Sequence, residues 1–169
     1  MSTSSSCSVQ REALAVEALR RNGRVRLRVR GQSMLPSLWP GDIAEIQVCS
    51  LREVRPGEIV LAQRDDRFFL HRFLSCMEPD SFLARGDSMP RTDPAYSSGA
   101  FLGRLVSLTR NEAAISVPSL ATSVSRLLGM FLCYCRPALR LALWFHHWRT
   151  AGEPATELPG QIAEASSMQ

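Results

Sequence analysis

Residues 31–42 read Gly-Gln-Ser-Met-Leu-Pro-Ser-Leu-Trp-Pro-Gly-Asp. In the chain just before them, residues 24–30, Arg alternates with Val25, Leu27 and Val29. That period of two is the signature of a half-buried strand. Gly31 permits a close backbone approach or an unusual backbone conformation. Pro36, Pro40 and Gly41 stiffen and turn the exit, and Asp42 is placed to cap the turn. Ser33 therefore stands at a strand–turn junction on a rigid support, which suits a nucleophile. A serine hydroxyl is inert alone and needs a base within hydrogen-bond reach.

The choice of base is narrow, because the chain contains no lysine and all 20 of its basic residues are Arg. Arg stays protonated at working pH. A Ser–Lys dyad is thereby excluded, leaving His71, His146, His147 or a carboxylate. An unperturbed imidazole titrates near pH ~6.5, so a histidine can serve as a free base near neutrality.

Working outward, Ser8 is expected to cap a short helix running to about Arg21, with Leu14, Ala18 and Leu19 on one face and Gly23 as its stop. After the serine loop, residues 43–49, 58–63, 67–76, 82–86 and 101–110 read as strands, with a short one in 112–117. Asp65-Asp66 is the expected hairpin tip. Along 67–76, Phe69, His71 and Phe73 share one face, and Phe68, Leu70, Arg72 and Leu74 the other. A polar, Pro-containing loop spans residues 87–99. The expected fold is mainly β, a compact domain of short strands over 24–117. It follows an N-terminal tail and helix (1–23) and precedes amphipathic helices (118–150) and a disordered tail (151–169).

The order of four blocks carries a resemblance. The serine box 31–42 is followed by Arg55-Pro-Gly-Glu-Ile-Val-Leu, then by Phe69-Leu-His71-Arg72-Phe73, then by Arg85-Gly-Asp87 with Asp93 six residues on. Together they resemble signal peptidases and the related LexA-like self-cleaving proteases. The bacterial and LexA-like members place Lys where this chain has His71. The endoplasmic-reticulum type places His there, with two Asp at this spacing. The resemblance covers roughly residues 24–108. It implies a serine endopeptidase that cleaves an extended peptide after small side chains, with Ser33 as nucleophile and His71 as general base. Asp93 is the first candidate to orient His71, and Asp87 the second. Backbone N–H groups at Ser33 and its neighbour would form the oxyanion hole, with Gly31, Gln32 and Met34 on the substrate side. Many signal peptidases carry a hydroxyl two residues before the nucleophile, where this chain has Gly31. A LexA-like self-processing regulator and an inactive peptide-binding module of the same fold are the alternatives. About 23 residues precede the first strand, too few for a helix-turn-helix domain.

The expected partner is a peptide or preprotein, with no cofactor, no metal and no nucleic acid. Cys133, Cys135, His146 and His147 do not have the spacing of a common zinc site. The net charge of +4 owes much to six arginines between Arg20 and Arg30, best read as the solvated outer face of an edge strand. The five cysteines are scattered, implying no disulfide framework. Residues 1–8 carry no apolar stretch, so neither a signal peptide nor an N-terminal anchor is expected. The apolar run 127–135 spans only about 14 Å as a helix at ~1.5 Å per residue, against ~30 Å for a bilayer core. The expected location is membrane-associated or cytoplasmic, with peripheral contact through residues 118–149.

Overall fold

The computed structural model describes residues 3–77 and 80–117 and, beyond them, Arg140 and Trp144, both helical. The rest of the expected C-terminal helices, the tail and the Cys133/Cys135/His146/His147 group lie outside the described residues. Helix α1 spans Thr3–Asn22. Eight strands follow: β1 (Arg24–Arg28), β2 (Ile43–Gln47), β3 (Ile59–Arg64), β4 (Arg67–Met77), β5 (Ser81–Arg85), β6 (Tyr96–Ser97), β7 (Phe101–Arg110) and β8 (Ala113–Ile115). They form one antiparallel sheet in the order β1-β2-β7-β3-β4-β5-β6, with β8 paired to β7. The mainly β fold is as expected. Among the described residues, no helix is long and apolar enough to cross a membrane.

Helix α1 starts earlier than Ser8. Residues 3–8 contain neither Gly nor Pro, and Ser costs only a few tenths of a kcal/mol in a helix, so nothing there stops it. Its buried anchor is Leu19, whereas Leu14 is 65% exposed. Leu14 therefore does not share the buried face expected for it: the helix meets the sheet through its last turns. Gly23 ends it, at φ +69°, with its N–H donating to the Leu19 carbonyl. Strand β1 is an edge strand, and Arg24, Arg26 and Arg28 all point outward from it, alternating with half-buried Val25 and Leu27.

The hairpin tips follow from their residues. Asp65 and Asp66 both have positive φ between the paired ends Arg64 and Arg67. Asn111 and Glu112 do the same between Arg110 and Ala113. Two central residues at positive φ make the tight turn whose twist matches paired strands.

Strand β3 is buried on both faces, so its sequence Ile-Val-Leu-Ala is continuously apolar rather than alternating. Ile59 and Leu61 join a cluster with Met34, Leu38, Ile46 and Leu108. Val60 and Ala62 join another with Phe73, Phe82 and Tyr96. Strand β4 keeps the expected alternation: Phe68 and Leu70 pack on the first cluster and Phe73 lies in the second. The alternation ends at an irregularity between Phe73 and Ser75.

Where β2 crosses β7, Gly103 lets two backbones approach. A Cβ there would be driven into the Gln47 carbonyl oxygen and lie 3.0 Å from Ile46 Cγ2. Gly103→Ala should therefore lose about 1–3 kcal/mol, the usual cost of overpacking, in urea unfolding. Gly99→Ala, where a Cβ meets nothing within 4 Å, should stay within ~0.5 kcal/mol of the parent.

Candidate active site

The serine loop is closed at its base by two backbone hydrogen bonds: Val29 N–H to the Asp42 carbonyl and Gly41 N–H to the Val29 carbonyl, both 2.8 Å. Leu35 and Leu38, 1% and 0% exposed, plug it into the core. Truncating a leucine so buried costs about 2–5 kcal/mol, so the loop is fastened far more firmly than its turn residues alone imply. Asp42 does more than cap. It accepts the Trp39 N–H at 2.8 Å and forms a two-pronged ion pair with Arg110, both contacts 2.7 Å.

Ser33 Oγ lies 2.9 Å from His71 Nε2. On the other side of the ring, Nδ1 faces Asp93 Oδ2 in a short contact. A proton on Nδ1, donated to Asp93, leaves Nε2 as acceptor for the serine hydroxyl. His71 is 5% exposed on β4, opposite Val60 of β3, which fixes the direction in which the ring leaves the sheet. Asp93 is placed by its own N–H, which donates to the Ala84 carbonyl at 3.0 Å. Its Oδ2 also accepts the Tyr96 hydroxyl at 2.9 Å. Arg64 in turn lies 3.8 Å over the Tyr96 ring and donates to the carbonyls of Pro94 and Ala95. Burial pushes the Asp93 carboxyl up. The hydrogen bond and charge of His71, the Tyr96 hydroxyl and the Arg64 guanidinium outweigh it and hold the group below its usual value. The Tyr96 phenol is held above its usual range, by burial first and then by the bond to Asp93.

Asp87 does not reach His71. It forms a two-pronged pair with the buried Arg72, Nε to Oδ1 and Nη2 to Oδ2, both 2.7 Å. Arg72 Nη1 donates to the Gly57 carbonyl at 2.5 Å, and the Ser37 hydroxyl donates to Asp87 Oδ2 at 2.5 Å. The two acids are separated because a permanent guanidinium one residue from His71 captures the nearer one. Arg72 is thus a structural partner, and Asp87 a strut between β4 and the serine loop.

The glycine roles also move. A Cβ at Gly31 meets nothing within 4 Å, so no close approach occurs there. The close approach belongs to Gly86, where a Cβ would lie 2.6 Å from the Ser33 carbonyl oxygen and 3.0 Å from Ser33 Cβ. Ser88 completes this contact: its N–H donates to the Ser33 carbonyl at 2.9 Å and its hydroxyl to the Gln32 carbonyl at 3.0 Å. Gly86, Ser88, Tyr96 and Arg64 were not singled out from the sequence. The only local signal for any of them was the Gly-Asp pair after a strand.

Met34 is 2% exposed, with its side chain in the core among Leu19, Leu38 and Leu61. It also lines the floor of the groove beside Ser33, and its amide stands next to the serine. Among the described residues, neither the Ser33 nor the Met34 N–H donates to a protein acceptor. A groove of about 480 Å³ opens beside Ser33 and His71. Residues 27–34 line one part of it, Phe68, Phe69 and Leu70 of β4 another. The arrangement offers a hydroxyl nucleophile, an adjacent imidazole and an ionised group behind it, along an apolar channel.

Two measurements follow. Asp87→Ala leaves the Arg72 guanidinium buried without its anion and should cost about 3–5 kcal/mol, whereas Asp87→Ala with Arg72→Met should cost less than the single change. Urea unfolding of the three proteins distinguishes these. Asp93 has a lowered pKa in the fold, so its ionisation contributes stability that is fully present above the unfolded carboxyl value near pH ~3.9 and lost as pH falls through the lower folded value. The melting temperature of the parent should fall more steeply below pH ~4 than that of Asp93→Asn.

Comparison with known proteins gives one family match: residues 4–83 fit the family described as Peptidase S24-like. The matched span contains Ser33 and His71 and ends before Asp87 and Asp93. No curated protein matches the chain.

Proposed function

We propose that this protein is a serine endopeptidase that cleaves an extended peptide through Ser33, His71 and Asp93. The observation that carries the proposal is the continuous contact from Ser33 Oγ through both ring nitrogens of His71 to Asp93. The Peptidase S24-like match supports the same class of activity. The histidine in place of lysine favours a resemblance to the endoplasmic-reticulum type of signal peptidase, and with it cleavage after small side chains.

In this mechanism Ser33 Oγ attacks the scissile carbonyl carbon while its proton passes to His71 Nε2. Asp93 holds the Nδ1 proton and stabilises the imidazolium that forms. The negative charge on the carbonyl oxygen falls to the open amides of Ser33 and Met34, each such donor contributing about 3–4 kcal/mol in comparable enzymes. The C–N bond then breaks and the leaving amine takes the proton from Nε2. Water attacks the resulting serine ester, His71 accepts its proton, and the acid leaves with Ser33 restored. The peptide lies extended along the groove between residues 27–34 and β4.

A library of quenched fluorescent peptides with small residues at successive positions tests this. The parent should cleave members of it. Ser33→Ala and His71→Ala should lose about 10³-fold or more in kcat, and Asp93→Asn about 10²–10⁴-fold, with thermal unfolding showing that each remains folded. Binding of the same peptides without any cleavage would replace the enzyme with a peptide-binding module. Two fragments of the chain itself, formed by the parent and not by Ser33→Ala, would turn the reading to self-processing.

A further inference from the structure

The groove beside Ser33 is not built from the sheet alone. Glu12 and Ala15 of α1 line it together with Ser33 and His71. A peptide reaching the serine therefore runs past a helix that precedes the β domain in the chain. Glu12 is the unusual member of that wall. Its Oε2 is buried and has no hydrogen-bond partner among the described residues. A carboxylate oxygen left in that condition is costly, and the cost falls when a cation or strong donor arrives. Elsewhere the groove is lined by the apolar side chains of Leu27, Val29, Leu61, Phe68 and Leu70. They match the methylene stem of a long basic side chain, which buries its carbons while its head seeks an anion. Arg28 and Arg30 also line the groove but are exposed, so solvent screens their repulsion as it does not screen the buried oxygen.

We propose that Glu12 is a specificity-determining residue that receives a cationic side chain, Arg or Lys, of an extended peptide lying in the Ser33 groove. The inference rests on the peptide-groove reading above but not on hydrolysis itself. In this arrangement α1 supplies selectivity and the sheet supplies the reacting groups. The bound guanidinium or ammonium donates to Oε2 in a charge-assisted bond. The small residue expected at the scissile bond and the basic residue at Glu12 are then separate requirements, met by different walls of one channel.

The test uses the full chain and fluorescent decapeptides in which a single position is Arg, norleucine or Glu, scanned along the peptide. Binding is read by anisotropy on the Ser33→Ala protein, and cleavage by the parent. At one position the Arg peptide should bind, and be cleaved, at least about tenfold better than its norleucine counterpart, the advantage a charge-assisted bond confers. Glu12→Gln should erase that ratio, and Glu12→Arg should turn it toward the Glu peptide. An Arg-to-norleucine ratio that is the same in the parent and in Glu12→Gln overturns the inference, as does a groove that binds none of the peptides. Cleavage with no basic preference removes Glu12 while leaving the peptidase. A preference in binding that depends on Glu12, without cleavage, keeps Glu12 and removes the peptidase.

Discussion

The guanidinium of Arg72 joins three segments that are distant in sequence: Asp87 after β5, Gly57 in the turn before β3, and Ser37 in the serine loop. Both partners of the ion pair are nearly sealed from water, at 3% and 5% side-chain exposure. A buried pair is not by itself a source of stability, because taking two charges out of water costs several kcal/mol per ion. Here the two-pronged geometry and the added bonds to Gly57 and Ser37 offset that cost and leave one arrangement satisfied. Its consequence is positional. Arg72 and His71 are successive residues of β4, and they reach Ser37 and Ser33 of the same turn. Fixing the first contact therefore helps to fix the second, the 2.9 Å approach of Ser33 Oγ to His71 Nε2.

A second lock acts from the other side. Gly86 lies against the Ser33 backbone, and Ser88 binds the carbonyls of Ser33 and Gln32. The short segment 86–88 thus holds the serine loop through Gly86, Asp87 and Ser88 at once. The loop's own hydrogen bonds, from Val29 to Gly41 and Asp42, close its base. With its carbonyls turned to Ser88 and its core side chains buried, the turn leaves the Ser33 and Met34 amides without a protein partner among the described residues.

What the sequence discloses and what it withholds divide along the same physical line. Period-two alternation in residues 24–30 and 67–74, and the acidic tip at 65–66, are local signals, and the strands and turns follow them. The absence of lysine left three histidines and the carboxylates as possible bases, and the order of the blocks around His71 singled it out. The separation of Asp87 from Asp93 was not legible, because both are short acids in one loop. Which one meets the imidazole depends on where Arg72 is buried, a tertiary fact. The same holds for Gly31 and Gly86. Both sit at strand ends, and only the packing of segment 86–88 on the serine loop decides which must lack a Cβ. Leu14 shows the converse error. Apolar character did not fix which face of α1 is buried.

The absence of lysine has a further effect on how charge is used. Three aspartates stand around the serine loop, and each has a different partner. Asp42 is paired with Arg110 and Asp87 with Arg72, each through the planar fork of a guanidinium. A guanidinium does not exchange its proton at working pH, so these pairs can hold geometry and cannot take part in proton transfer. Asp93 faces His71, an imidazole with one ring nitrogen toward the acid and the other toward the serine hydroxyl. Arg64 approaches Asp93 only indirectly, over the Tyr96 ring and at the carbonyls of Pro94 and Ala95. Had Arg64 formed a direct two-pronged pair with Asp93, the carboxylate would have been a third strut and the imidazole would have lacked an anion to orient it. Interposing Tyr96 supplies a hydrogen bond to Asp93 Oδ2 while leaving the carboxylate's charge available to the ring. The difference between the three aspartates is therefore set by which partner each one meets: a guanidinium for Asp42 and Asp87, an imidazole for Asp93.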